Sequence, residues 1–134
     1  MRRVVLVLAA MAFALLLASG VALAVTKIGT PRDDTLIGTN GPDRIVGKAG
    51  DDFINGRRGT DTLEGSAGDD VLIDGPFREF ALDVLEGGAG NDRFFVQNRP
   101  AARDIVGCGG GFDRVIADRK DIVGDDCERV RRIS

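Results

Sequence analysis

Asp34, Asp43, Asp52, Asp61 and Asp70 follow one another at intervals of nine residues, and Asp92 recurs further on in the same local context, GGAGNDRFF at 87–95. A fold that stacks successive repeats must also stack these acids. At the usual separation of paired strands, about 4.8 Å, carboxylates roughly 5 Å apart repel and weaken the stack. A cation between the rungs reverses that sign, and with only oxygen donors at the repeated position the ion has to be a hard one.

The residues around each acid specify how it is held. Cut at the period, the chain reads GTPRDDTLI (29–37), GTNGPDRIV (38–46), GKAGDDFIN (47–55), GRRGTDTLE (56–64) and GSAGDDVLI (65–73). Glycines at positions 1 and 4 permit positive φ, so the first six residues read as a turn. The last three, such as Thr35-Leu36-Ile37, are too short for a helix and rich in β-branched and aliphatic types, and read as a minimal strand with one residue pointing inward. That inward residue, Leu36, Ile45, Ile54, Leu63 or Leu72, always lies two places after the acid. Two repeats close one turn of a parallel β-solenoid, which sets Asp34 over Asp52 over Asp70 along one edge and Asp43 over Asp61 along the other. Calcium suits this donor set, because it takes about 6–8 oxygens in flexible geometry, here carboxylates plus the carbonyls of glycine turns. Magnesium keeps its waters and demands an octahedron.

These segments resemble the RTX, or haemolysin-type, calcium-binding nonapeptide GGxGxDxUx. The segment 87–95 keeps every glycine of that pattern, whereas the others place Thr39, Lys48, Arg57 or Ser66 at position 2. The resemblance implies an all-β, right-handed parallel β-roll with calcium held between turns. Carried over by position, the ligands are Asp34, Asp43, Asp52, Asp61, Asp70 and Asp92, with Asp34 the weakest because Arg32 stands where its turn should have glycine. Asp83, Asp104 and Asp113 continue the phase. Asp83 and Asp104 lack the glycine turn and read as structural, and Asp118 is off phase. Asp33, Asp51 and Asp69, at position 5, read as outward, solvated charge.

The register loosens twice, once in the stretch Asp74 to Phe80 and once around Pro100, and both surpluses read as longer loops on one edge. Cys108 and Cys127, 19 apart, fall close to one coil from each other and read as a disulfide. At the other end, Arg2 and Arg3, an apolar run from Val4 to Leu17 and the Ala22-Leu23-Ala24 pattern read as a cleavable export signal with a helical apolar segment. An N-terminal membrane anchor is the alternative. The organisation expected is a signal peptide at 1–24 and a calcium-binding β-roll domain at 25–134. Within the domain, clear repeats occupy 29–73 and 87–95, and degenerate, disulfide-closed rungs occupy 104–130.

Composition narrows the function classes. The chain has no His, Trp or Tyr, which excludes Ser-His-Asp and Cys-His catalysis and any His-ligated metal. Its formal net charge of −3 becomes more negative once Arg2 and Arg3 leave with the signal, which argues against nucleic acid as a partner. The expectation is a secreted, extracellular, non-enzymatic protein that binds calcium ions in a structural, adhesive or envelope-associated role. It would have no stable membrane insertion after signal cleavage, and any cell-surface or matrix partner is unspecified. The alternatives are a carbohydrate-active enzyme on a parallel β-helix, for which three-residue strands leave no cleft, and a degenerate solenoid scaffold without metal.

Overall fold

A computed structural model of the chain describes residues 23–76, 80–98 and 102–134. The export signal read at 1–24 lies, but for its last two residues, outside the described residues, as do Phe77 and Pro100. Twelve strands alternate between two six-stranded parallel sheets. The first sheet holds β1 (Val25–Ile28), β3 (Asp43–Ala49), β5 (Thr62–Ala67), β7 (Val84–Ala89), β9 (Ile105–Gly110) and β11 (Ile122–Val123), in that order. The second holds β2 (Thr35–Ile37), β4 (Phe53–Asn55), β6 (Val71–Ile73), β8 (Arg93–Val96), β10 (Arg114–Ala117) and β12 (Arg129–Arg132). The fold is the parallel β-solenoid expected from the repeat. Among the described residues no helix is long and apolar enough to cross a membrane.

Register follows the nonapeptide. Arg44 pairs with Thr62 and Phe53 with Val71, each one 18-residue coil on. The next coils are longer: Thr62 pairs with Val84 and Val84 with Ile105. Their surplus residues fall between β6 and β7 and between β8 and β9, on the same edge, and the sheets keep pairing across them. Position 8 forms the core. Ile45, Leu63, Leu85 and Val106 on the first sheet and Ile54, Leu72, Phe94 and Val115 on the second are all at most 1% exposed. Each such side chain contributes about 1.5–3 kcal/mol through burial.

The two sheets are unequal, which the repeat alone does not convey. Three-residue strands, as expected, occur in the first three rungs of the second sheet, whereas β3, β5, β7 and β9 run six or seven residues, through positions 1 to 3 of the following repeat. Lys48 pairs with Ser66, and Ser66 with Gly88. The six-residue turn is therefore correct only on the opposite edge. Position 2 adopts positive φ, at Lys48 (88°) and Ser66 (84°) as well as Gly88 (108°), which bends the chain while its neighbours stay paired. Position 4 is positive too, as at Gly68 (131°), but the position-1 glycines are not among the positive-φ residues. Their requirement is room: a Cβ on Gly47 would stand 2.1 Å from Asp52 Oδ2.

The last rungs are closed by the disulfide expected between Cys108 and Cys127, whose Cα atoms are 5.2 Å apart. Cys108 is fully buried and takes the place in the stack that Gly87 holds one coil earlier. Reduction should therefore release the C-terminal coil first, at a cost of about 3 kcal/mol for a loop of about 20 residues. Hydrogen exchange before and after reduction should show faster exchange confined to β9–β12.

Lys48 and Ser66 carry side chains in a backbone region that suits glycine, a strain of order 1 kcal/mol. Lys48→Gly should raise the thermal midpoint of unfolding. Gly68→Ala should abolish cooperative unfolding, because the added Cβ would lie 2.0 Å from the Gly50 carbonyl oxygen at a forbidding φ.

Candidate metal centre

Each sixth-position acid after Asp34 reaches back one coil. On the edge leading from the first sheet to the second, the backbone N–H groups of Asp34, Asp52 and Asp70 donate to Oδ1 of Asp52, Asp70 and Asp92, each at 2.8 Å. Asp92 N–H donates to Asp113 (2.7 Å), and Asp113 N–H to Glu128 Oε2 (2.8 Å). The other edge runs Asp43, Asp61, Asp83, Asp104 and Asp121 in the same sense, at 2.7–3.1 Å. The repeat thus builds two ladders of carboxylate-to-amide bonds, whose nine acids from Asp43 to Asp121 are buried.

The second carboxylate oxygen separates these acids. At Asp34 and Asp43 it accepts hydrogen bonds from Thr30 and Thr39, the residues at position 2 of their own repeats. At Asp52, Asp70, Asp92 and Asp113 it is buried without a hydrogen-bond partner. For Asp52, Asp70 and Asp92 that oxygen occupies the space left by the missing Cβ of a position-1 glycine, beside a carbonyl from the next coil. The site a Cβ of Gly65 would fill lies 2.2 Å from Asp70 Oδ2 and 2.7 Å from the Gly87 carbonyl oxygen. A buried anionic oxygen and a turn carbonyl converging on one small cradle is the donor chemistry of a hard cation. The residues present therefore fit calcium. Asp34, Asp43 and Asp61 have the same pairing, with the carbonyls of Gly47, Gly56 and Asp74.

Electrostatics point the same way. Burial, and after it the charge of neighbouring aspartates, pushes the carboxyls of Asp70 and Asp92 up to about 6, against the backbone N–H that stabilises each anion. Asp52 and Asp113 are raised for the same reasons. Position 5 is more than solvated charge. Asp51 N–H donates to Asp33 Oδ1 (2.9 Å), Asp69 N–H to Asp51 Oδ1 (2.8 Å) and Asn91 N–H to Asp69 Oδ1 (2.8 Å). Position 5 thus accepts from the coil after it and position 6 from the coil before it, so the Asp-Asp dipeptide fastens each turn in both directions.

Asp83 and Asp104, which lack a glycine turn, are fully buried members of the second ladder. Asp118, off phase by count, is nonetheless 5% exposed, with its N–H donating to Asp121 Oδ2. The residue that sequence reasoning passed over is Asp74. It stands nine after Gly65, at a position-1 slot, but the following loop hides the period. One oxygen from each of Asp74, Asp83 and Asp104 lies within 4.8 Å of the others. Burial first, then the adjacent carboxylates, pushes Asp74 and Asp83 up to about 8, and Asp104 up to about 6.

These shifts fix the sign of a pH dependence. A carboxyl whose folded pKa exceeds its unfolded value of about 3.9 binds more protons when folded, so stability falls as pH rises through that interval. In chelator, the thermal midpoint should therefore be higher at pH 5 than at pH 8. Millimolar calcium should flatten or invert the slope, and scanning calorimetry at the two pH values reads both effects.

Comparison with known proteins agrees with this geometry. The family profile of the RTX calcium-binding nonapeptide repeat, in four copies, matches residues 28–63, 56–75 and 82–96. No curated protein and no solved structure matches the chain. Over those residues the repeat, the solenoid and the stacked aspartates coincide, and the chain carries RTX calcium-binding nonapeptide repeats there.

Proposed function

We propose that the chain is an exported calcium-binding β-roll whose role is structural or adhesive, at or beyond the cell envelope, and not enzymatic. The observation that carries this reading is the row of buried, unpartnered oxygens on Asp52, Asp70 and Asp92, each beside a carbonyl of the next coil. Asp34, Asp43, Asp52, Asp61, Asp70 and Asp92 would hold the ions. Calcium, when bound, supplies the positive charge that two facing coils of aspartate lack. The protein's part is to bury the carboxylates, to fix Oδ1 on a backbone amide and to leave Oδ2 facing the cradle. Export is supported by the signal-like first 24 residues and by the disulfide, which suits an oxidising compartment. The absence of histidine supports a non-catalytic role.

Folding should then be coupled to calcium. Each independent site adds about 2.7 kcal/mol at a hundredfold excess of ion over Kd. Circular dichroism should show β structure with a higher thermal midpoint in millimolar calcium than in chelator, and equal midpoints would refute the reading. Asp52→Asn keeps the amide acceptor and removes one charge, and should lower the bound calcium measured by titration calorimetry. Asp125→Asn, at an exposed acid in the C-terminal turn, should leave it unchanged.

A further inference from the structure

The edge that carries the inserted loops holds a second kind of carboxylate arrangement. In a regular coil, position 1 is glycine, and the space above its Cα is filled by an oxygen of its own sixth-position acid. Residue 74 keeps the backbone role of that glycine: its carbonyl oxygen lies 2.9 Å from where a Cβ of Gly56 would be, as the Gly65 carbonyl lies 2.8 Å from that of Gly47. Yet residue 74 is an aspartate, and its side chain is 1% exposed. A third carboxylate is thus placed against two rungs of the ladder, Asp83 and Asp104, with one oxygen of each within 4.8 Å of the others.

The hydrogen bonds leave this cluster unbalanced. Asp83 Oδ1 and Asp104 Oδ1 are taken by the amides of Asp61 and Asp83, and Asp74 Oδ1 by the amide of Gly75. Oδ2 of Asp74 and Oδ2 of Asp83 are buried without a partner. Asn98, from the second inserted loop and 2% exposed, donates its amide nitrogen to Asp104 Oδ2 at 2.7 Å. That bond brings the amide to the cluster with its own Oδ1 buried and unpartnered. Among the described residues no lysine or arginine pairs with the three acids. Arg132 donates to the carbonyls of Asp118 and Asp121 instead. Three buried carboxylates and a buried amide oxygen, with no cationic side chain paired to them, form an all-oxygen donor set that a hard divalent ion neutralises.

We propose that Asp74, Asp83 and Asp104, with Asn98 beside them, form a separate calcium site built by the inserted loops. Its side-chain donors are distinct from those of the nonapeptide sites assigned above, since Asp74 and Asn98 lie outside the sixth-position pattern and neither Asp83 nor Asp104 belongs to that ligand set; Asp74 meets the Asp61 cradle through its backbone carbonyl. The two loops then have a role: they bring a side chain from each of two consecutive coils to the edge of the stack, and a bound ion ties them together.

The test is calcium stoichiometry by equilibrium dialysis on the full chain, with calcium as the only added ion. Asp74→Gly restores the residue that the slot holds elsewhere, and Asp74→Asn preserves shape while removing charge. Both variants should bind one calcium fewer than the parent, with β structure in calcium retained. Asp52→Asn should lose calcium independently, and the loss in the double variant Asp52→Asn/Asp74→Gly should equal the sum of the two. Undiminished stoichiometry in both Asp74 variants overturns the proposed site, whatever Asp52→Asn does. Loss of β structure in both, or of more than one ion, also overturns it, because Asp74 would then be part of the scaffold. If Asp52→Asn alone binds the parental amount, the nonapeptide assignment fails and the loop site stands or falls on its own variants.

Discussion

The bond from a sixth-position carboxylate to the backbone N–H one coil earlier sets the terms for the rest of this molecule. Turns of a solenoid leave amides that neither sheet satisfies, and a buried amide without an acceptor costs of order 1–3 kcal/mol. A short acid at a fixed phase supplies that acceptor at every rung. The other features make the bond possible. Glycine at position 1 leaves room for the carboxylate, positive φ at positions 2 and 4 turns the chain around it, and the apolar residue two places later faces the core when the acid faces the edge. Because each coil satisfies only its neighbours, stability is a sum of contacts between adjacent coils.

The same bond creates the electrostatic problem that calcium would solve. One oxygen of each acid is used and the other is carried into a low-dielectric interior, near the acids above and below. At the first coil, Thr30 and Thr39 dispose of that oxygen with hydroxyl donors. At the far end Glu128 stands in register with Asp113, and its side chain accepts from the Asp113 amide. Between these ends, among the described residues, no hydrogen-bond donor reaches Oδ2 of Asp52, Asp70 or Asp92, and the RTX repeat match covers all three acids.

Much of this was legible in the chain, and the reason is the period. A nine-residue interval with acid and apolar residue locked two apart admits one stacking, so the solenoid, its 18-residue coil, the inward column from Ile45 to Phe94 and the alignment of Asp34, Asp52 and Asp70 all follow from spacing. The pairing of Cys108 with Cys127 followed as well, because their separation is close to one coil. Where the period breaks, legibility ends. Asp74 looks like the first residue of a loop because the glycine expected there is missing, and Asn98 has no phase at all.

Tertiary structure decided what spacing cannot express. Whether position 5 faces solvent or caps a neighbour depends on the vertical offset of one coil on the next, which turned Asp51 from surface charge into an acceptor for the Asp69 amide. Whether a position-1 glycine serves flexibility or space depends on which atom sits above it, here a carboxylate oxygen and a carbonyl. Loop acids found their partners only when coils of unequal length were brought into register, since contact between Asp74 and Asp104 spans an insertion whose path no local pattern encodes. Local chemistry and its repeat thus determined the fold and the ladders, while the packing of one coil on another determined which oxygens are left for an ion.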